Sequence, residues 1–139
     1  MKRTYNAICE TIKEFRRQLP KPDPEWPHDV RRAVKFIYEH LLKEGLTVTL
    51  VKEECQINGK SFPGRFIKCT GLNPKEFILI HQINLSKRLL KLEDVSIGQA
   101  GLEAGFSSHS AFCKTFKRKV GVKPSVWRGQ AGNGNTDGE

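Results

Sequence analysis

Four cysteines, Cys9, Cys55, Cys69 and Cys113, and four histidines, His28, His40, His81 and His109, are the side chains of this chain that could ligate a metal, form a cross-link or serve as nucleophile and base. Their spacing argues against all three. No two cysteines form a C-x-x-C pair and no histidine stands at zinc-finger distance, so neither a metal centre nor a disulfide framework is indicated, and the thiols read as small buried hydrophobes. No serine, cysteine or carboxylate is set by sequence into a catalytic group with a histidine, so an enzyme is not expected. His40, inside a helical pattern, reads as a packing residue. What remains is charge. Between Gln56 and Arg128 there are 13 Lys/Arg and only four acids, Glu76, Glu93, Asp94 and Glu103. Such a stretch does one kind of chemistry well, the binding of a polyanion.

The elements that must position these cations follow from the rest of the chain. It has 139 residues, 37% of them hydrophobic, with 24 Lys+Arg against 15 Asp+Glu and a formal charge of +9. That is enough for one small domain, or two half-size lobes sharing a helix. No run approaches the ~20 apolar residues that span a bilayer, and the first residues lack the apolar core of a signal peptide, so a cytoplasmic, nucleoid-associated protein is expected. Tyr5, Ile8, Ile12, Phe15 and Leu19 form an apolar stripe on a helix over 1–19, which either docks on its own domain or dimerises. Pro20, Pro22, Pro24 and Pro27 make 20–28 an extended linker. The core therefore begins near Asp29, as N-cap of a helix through Val30, Ala33, Val34, Ile37 and Leu41 that stops at Gly45. Thr47 caps a short helix to about Cys55, and a second follows the turn at Gln56 to Gly59. Asn73-Pro74 opens the longest helix, to about Lys91. Ser96-Ile97-Gly98-Gln99 has the form of a capping box, and Ser107 or Ser108 caps the next helix. Residues 129–139 lack an apolar anchor and are expected to be disordered.

An internal repeat organises these elements. At an offset of 50, Phe62 pairs with Phe112, Phe66 with Phe116, Lys68 with Arg118, Gly71 with Gly121, Pro74 with Pro124 and Phe77 with Trp127. The two phenylalanines of each copy share a helical face, and each copy ends in a G-x-x-P turn followed by an aromatic residue. Each is preceded by a short helix and a tight turn, the outline of a helix-turn-helix whose second helix enters the major groove. The second copy carries Lys114, Lys117, Arg118, Lys119, Lys123 and Arg128 with no acid from Phe106 onward, and has Ser108, His109 and Ser110 in its first turn.

The run from Ser96 to Arg128, with Gly105-Phe106, Phe112, Phe116-Lys117-Arg118, Gly121, Pro124 and Trp127-Arg128, together with Phe66 to Pro74 and the Leu89-Leu90 ending of the long helix, resembles the DNA-binding region of the AraC/XylS family of bacterial transcription regulators. The resemblance extends over about residues 29–128. It implies an all-α, duplicated homeodomain-like fold, with helix-turn-helix subdomains at 29–72 and 93–128 joined by a linker helix at 73–92, that inserts two recognition helices into successive major grooves of duplex DNA. By motif position, His109, Ser110, Ala111 and Lys114 face the bases from the second helix, and Ser108, Lys117 and Arg118 the phosphates. The first helix supplies Lys60, Pro63 and Gly64, with Arg65 and Lys68 at the backbone. Pro63 and Gly64 have no side-chain donor or acceptor and offer only shape or contact with a thymine methyl, so this helix is expected to discriminate little among sequences. Pro63 also delays its start, making Ser61 the effective cap. Gln82 stands where the family has Arg, Ser86 where it has Ala, and Gly101 where it has Ala, and Gly98 and Gly101 are expected to loosen the second unit.

The expected function is sequence-specific transcription regulation without a cofactor. The short N-terminal segment suggests a regulator without the family's effector-sensing domain, controlled by abundance or by a protein such as RNA polymerase or another regulator. Two other readings share these residues: an interaction module built on the stripe from Tyr5 to Leu19, and an architectural or recombination accessory factor with non-specific DNA contacts. The DNA-repair relatives of the family use a reactive cysteine in a zinc module, for which no residues are present.

Overall fold

The computed structural model describes residues 2–43 and 45–132. Among them are eight helices and no strand: α1 (Lys2–Gln18), α2 (His28–His40), α3 (Val48–Glu54), α4 (Phe62–Thr70), α5 (Pro74–Leu90), α6 (Ile97–Glu103), α7 (His109–Val120) and α8 (Pro124–Gly132). Helix α2 packs on α3 and α4, and α4 on α5, to form a first lobe; α6 and α7 pack on the same helix, with α8 against α7, as a second. The fold is thus all-α with two helix-turn-helix units, α3–α4 and α6–α7.

Local chemistry sets the starts of the helices. The side chains of Thr47, Asn73, Ser96 and Ser108 accept the backbone N–H three residues on, at 3.1, 2.8, 3.0 and 3.0 Å. Each such cap contributes about 1 kcal/mol. Pro74 and Pro124 each occupy the first position of a helix, where no backbone N–H is needed. Other starts differ from expectation. α2 begins at His28 with Pro27 in the cap position, and Asp29 lies in the first turn, where its carboxylate accepts the Val30 N–H at 2.8 Å and pairs with Arg65 across the lobe. α2 also ends at His40, before Gly45. Ser61 does precede α4, but its hydroxyl accepts from Arg65 and caps nothing.

The repeat in sequence is a repeat in packing. Phe62 and Phe66 meet edge to face at 5.7 Å, as do Phe112 and Phe116, and all four are fully buried. Phe77 closes the first corner against Phe66 at 5.2 Å and Trp127 the second against Phe116 at 5.9 Å. The chain turns each corner through a left-handed glycine, Gly71 at φ 86° and Gly121 at φ 99°, whose N–H returns to the helix just ended. Gly101 has a different reason for its small size: a Cβ there would lie 2.6 Å from Cδ2 and Cγ of Phe112. The ring fills that space, so the small residue has a packing reason that its low helix propensity alone does not show.

α1 lies against α5. Ile8 and Phe15 are buried, Arg88 lies over the Phe15 ring and bonds Gln18, and Arg16 donates to the Tyr38 carbonyl at 3.0 Å. Of the two fates open to the stripe from Tyr5 to Leu19, docking within the chain is the one adopted. This docking covers Ile8 and Phe15, while Ile12 and Leu19 stay half-buried and Tyr5 exposed. Residues 19–27 are non-helical, with a turn at Asp23–Trp26. α8 was not foreseen, and it runs through 129–132, which were expected to be disordered; the remainder of that segment lies outside the described residues.

The lobes also touch directly. Gln82 of α5 donates Nε2 to the Leu41 carbonyl at 3.0 Å, and Gly105, at φ 105°, sits so close that a Cβ would fall 2.6 Å from that oxygen and 2.7 Å from the amide nitrogen. Gly105→Ala therefore combines a strained φ with a collision against backbone, and is expected to cost about 2 kcal/mol or more. Thermal unfolding checks this as a fall in Tm of at least ~5 °C. Gly129→Ala, with ordinary φ and open space, should leave Tm unchanged or slightly raised.

Candidate nucleic-acid interface

With Phe112 and Phe116 turned into the core, the 100° advance per residue puts Ser110, Lys114, Lys117 and Arg118 on the outer face of α7. All four are exposed, as are Ser108 and His109 at the start of the helix, while Ala111 is half-buried. The first turn of α7 holds no acid and the last turn holds Lys117, Arg118 and Lys119. The N-terminal end thus offers free N–H groups and hydroxyls to an anion or a base edge, and the flank offers cations.

α4 repeats the backbone of this surface with different side chains. Phe62 and Phe66 point inward, leaving Gly64, Ile67 and Lys68 outward, all exposed, with Pro63 half-buried on the flank and Lys60 exposed just before the helix. Arg65 faces the other flank, where its guanidinium holds Asp29 and Ser61. It braces α4 on α2 and is not free in the way Lys60 and Lys68 are. Arg118 is more loosely engaged, 3.5 Å from the Glu76 carboxylate and 55% exposed, while its neighbour Lys119 pairs with the same carboxylate and is largely covered. Arg128, counted among the cations of the second copy, points to protein: it donates to the carbonyls of Leu90 at 2.7 Å, of Leu92 at 3.1 Å and of Val95, clamping the end of α5 to the start of α6.

The histidines and cysteines separate in the same way. His40 stacks on Phe36 at 4.0 Å, and its Nδ1 lies 3.0 Å from the Phe36 carbonyl. His81 packs between Tyr38 and Phe77, and burial pushes its imidazole down from the usual histidine range. All four cysteines are free thiols, and burial raises that of Cys55. His109 alone among the described histidines lies on the recognition surface, with Nε2 3.4 Å from the Cys113 sulfur. Among the described residues no three His, Cys, Asp or Glu side chains gather as a metal site. No described helix is long and apolar enough to cross a membrane.

Two three-helix lobes on one shared helix, each presenting the outer face of the second helix of its helix-turn-helix, α4 or α7, define a paired helix-turn-helix domain of the DNA-binding class. The comparisons with known proteins carry this one step further. Residues 53–130 match the family model described as a helix-turn-helix domain. The melibiose operon regulatory protein of Escherichia coli K12 is 34% identical over 99 residues, 71% of this chain and 32% of that protein. The transcriptional regulator YfiF of Bacillus subtilis is 29% identical over 129 residues, 90% of this chain and 41% of YfiF, a match too long to lie within residues 29–139 alone. The chain therefore spans about a third of the length of the curated relatives it matches. Among solved structures, the DNA-binding domain of AdpA, determined with a target DNA, gives a TM-score of 0.67 at 24% identity, covering 79% of this chain and all of that one. The C-terminal domain of AraT from Geobacillus stearothermophilus gives 0.71 at 21%, covering 83% and 96%. The chain belongs to the AraC-type family of helix-turn-helix transcription regulators.

The Asp29–Arg65 pair makes a prediction of its own. Arg65, first by its hydrogen bond and then by its charge, holds the Asp29 carboxyl below its ordinary value of 3.8. A carboxylate lowered on folding stabilises the fold above its unfolded pKa, and that contribution is lost as pH falls through the lower, folded value. Asp29→Asn should therefore be less stable than the parent at pH 7, with the gap closing below pH ~4. Urea unfolding at pH 7 and pH 3 measures it; an equal gap at both would show that the pair contributes nothing through charge.

Proposed function

We propose that the chain binds duplex DNA sequence-specifically and regulates transcription, setting α4 and α7 into two successive major grooves on one face of the site. The observation that carries this reading is the duplication of one packed corner, Phe62-Phe66-Phe77 and Phe112-Phe116-Trp127, which presents two outward helix faces at a separation held by α5. On α7, His109, Ser110, Ala111 and Lys114 address base edges, with Ser108, Lys117 and Arg118 on the phosphates. On α4, Lys60, Pro63 and Gly64 face the bases, while Lys68 reaches the backbone and Arg65 holds its helix in place. RNA polymerase or another regulator is the proposed protein partner, and no cofactor is called for.

Selection from a randomised duplex library, followed by sequencing, tests the reading. The wild type should yield a site with two parts about one helical turn, ~34 Å, apart. Lys114→Ala and His109→Ala should each relax one part only, by about 1–3 kcal/mol of discrimination per lost contact. Retention of duplexes without any consensus would instead make the surface a phosphate anchor, the behaviour of an architectural factor.

Salt gives a second check. Lys68, Lys117, Arg118 and Lys123 are all exposed. If four phosphates are neutralised, affinity should fall roughly 10²-fold between 50 and 200 mM salt. A loss of less than ~10-fold in a fluorescence anisotropy titration would mean that most of these cations do not meet the backbone.

A further inference from the structure

The outer face of α4 raises a question that the fold does not answer. Gly64 has an ordinary helical φ, and a Cβ built on it meets nothing within 4 Å. Nothing inside the protein needs a glycine there, and glycine holds a helix less well than alanine. Gly71, Gly101 and Gly105 each have an internal reason, a turn or a close contact; Gly64 has none. On an outward face it leaves room for something external to approach the backbone closely, and what distinguishes Gly64 from the equally open Gly129 is its setting.

The residues around it say what that is. Ile67, one turn along on the same face, is 45% exposed, one of the four large exposed hydrophobics among the described residues. Its counterpart in the second copy is Lys117, and the counterpart of Gly64 is Lys114. The two recognition faces thus differ in kind: α7 offers cations and hydroxyls, α4 a shallow apolar strip of Pro63, Gly64 and Ile67. The strip is bordered by Lys60 and Lys68, both exposed. Cations on either side of an apolar floor fit a groove with phosphate walls. The apolar feature a major groove displays is the thymine C5-methyl group.

Resting on the DNA-binding reading above, we infer that α4 is a methyl reader: Pro63 and Ile67 pack on thymine methyl groups, and the bare backbone at Gly64 lets the helix approach closely enough to cover them. The half of the site beneath α4 is then selected by apolar contact. The half beneath α7 is selected by hydrogen bonds. This gives the first helix real discrimination, where the absence of side-chain donors alone suggests little.

The test uses the full chain and the duplex it selects from a randomised pool, remade with deoxyuridine in place of thymidine in one half at a time. The half that does not respond to Lys114→Ala should be rich in thymine. Each methyl removed there should cost about 4-fold in affinity. Ile67→Ala should weaken the thymidine duplex by about the same factor and remove its advantage over the deoxyuridine duplex. Gly64→Ala should also weaken binding, while leaving Tm unchanged or raising it by up to ~5 °C, which separates a lost contact from a damaged fold. A site whose α7 half is read normally while the other half ignores thymine or its methyl overturns the inference and leaves the proposed function standing. Unchanged DNA affinity in Gly64→Ala overturns it too. Absence of any consensus in either half overturns both.

Discussion

Helix α5 has to be buried by two lobes at once, and most of the architecture follows from that requirement. Phe77, Ile78, Gln82, Ile83, Leu85, Ser86, Leu89 and Leu90 are all buried, on several sides of one cylinder. A helix covered this widely shows little of the one-sided amphipathic pattern of a surface helix. It serves as the core of each lobe, so neither lobe closes its own core without it. The polar members of the set are satisfied locally: Ser86 donates to the Ile83 carbonyl at 2.7 Å, and Gln82 reaches across to Leu41. An amide in place of the family's arginine is well matched here, since it supplies the donor that the Leu41 carbonyl needs without placing a charge between the lobes.

Around that shared helix the duplication separates scaffold from surface. The positions that turn inward in α4 and α7 are the same phenylalanines, and the same glycine and proline close each corner. The positions that turn outward have diverged, to Ser110, Lys114 and Lys117 in one copy and Lys60, Gly64 and Ile67 in the other. Close packing explains the asymmetry of this freedom: a changed ring in the corner leaves a cavity or a clash costing several kcal/mol, while an outward side chain is set by whatever it meets.

Much of this was legible from sequence because it rested on short-range chemistry. The Phe-x-x-x-Phe spacings, the G-x-x-P turns and the caps at Thr47, Asn73, Ser96 and Ser108 are local signals, and each produced the element it announced. What could not be read depended on contacts between distant segments. Asp29 looked like a cap because its neighbours allowed it, but Arg65, 36 residues away, draws it into an ion pair. Arg128 looked like one more cation for the phosphates, while its guanidinium closes three backbone carbonyls at the α5–α6 junction. α8 was hidden by composition, since Gly129 and Gly132 suggested a tail where packing of Trp127 on Phe116 anchors a helix. Gly101 reads as a weak point from helix propensity alone, while in the fold the Phe112 ring occupies the missing side chain's place.

The contact of Gly105 with Leu41 and Gln82 removes the slack that a flexible hinge between the lobes would supply. Two readers joined by a soft hinge could follow half-sites at several spacings. Two readers joined by a backbone-to-backbone contact and a common core have a fixed angular phase. On the DNA this becomes a constraint of helical geometry: one inserted base pair moves the second groove by ~3.4 Å and rotates it by roughly 35° about the axis. In the proposed complex a close backbone contact, and not a long linker, separates the two helices, so a changed spacing would have to be met largely by twisting or bending of the duplex.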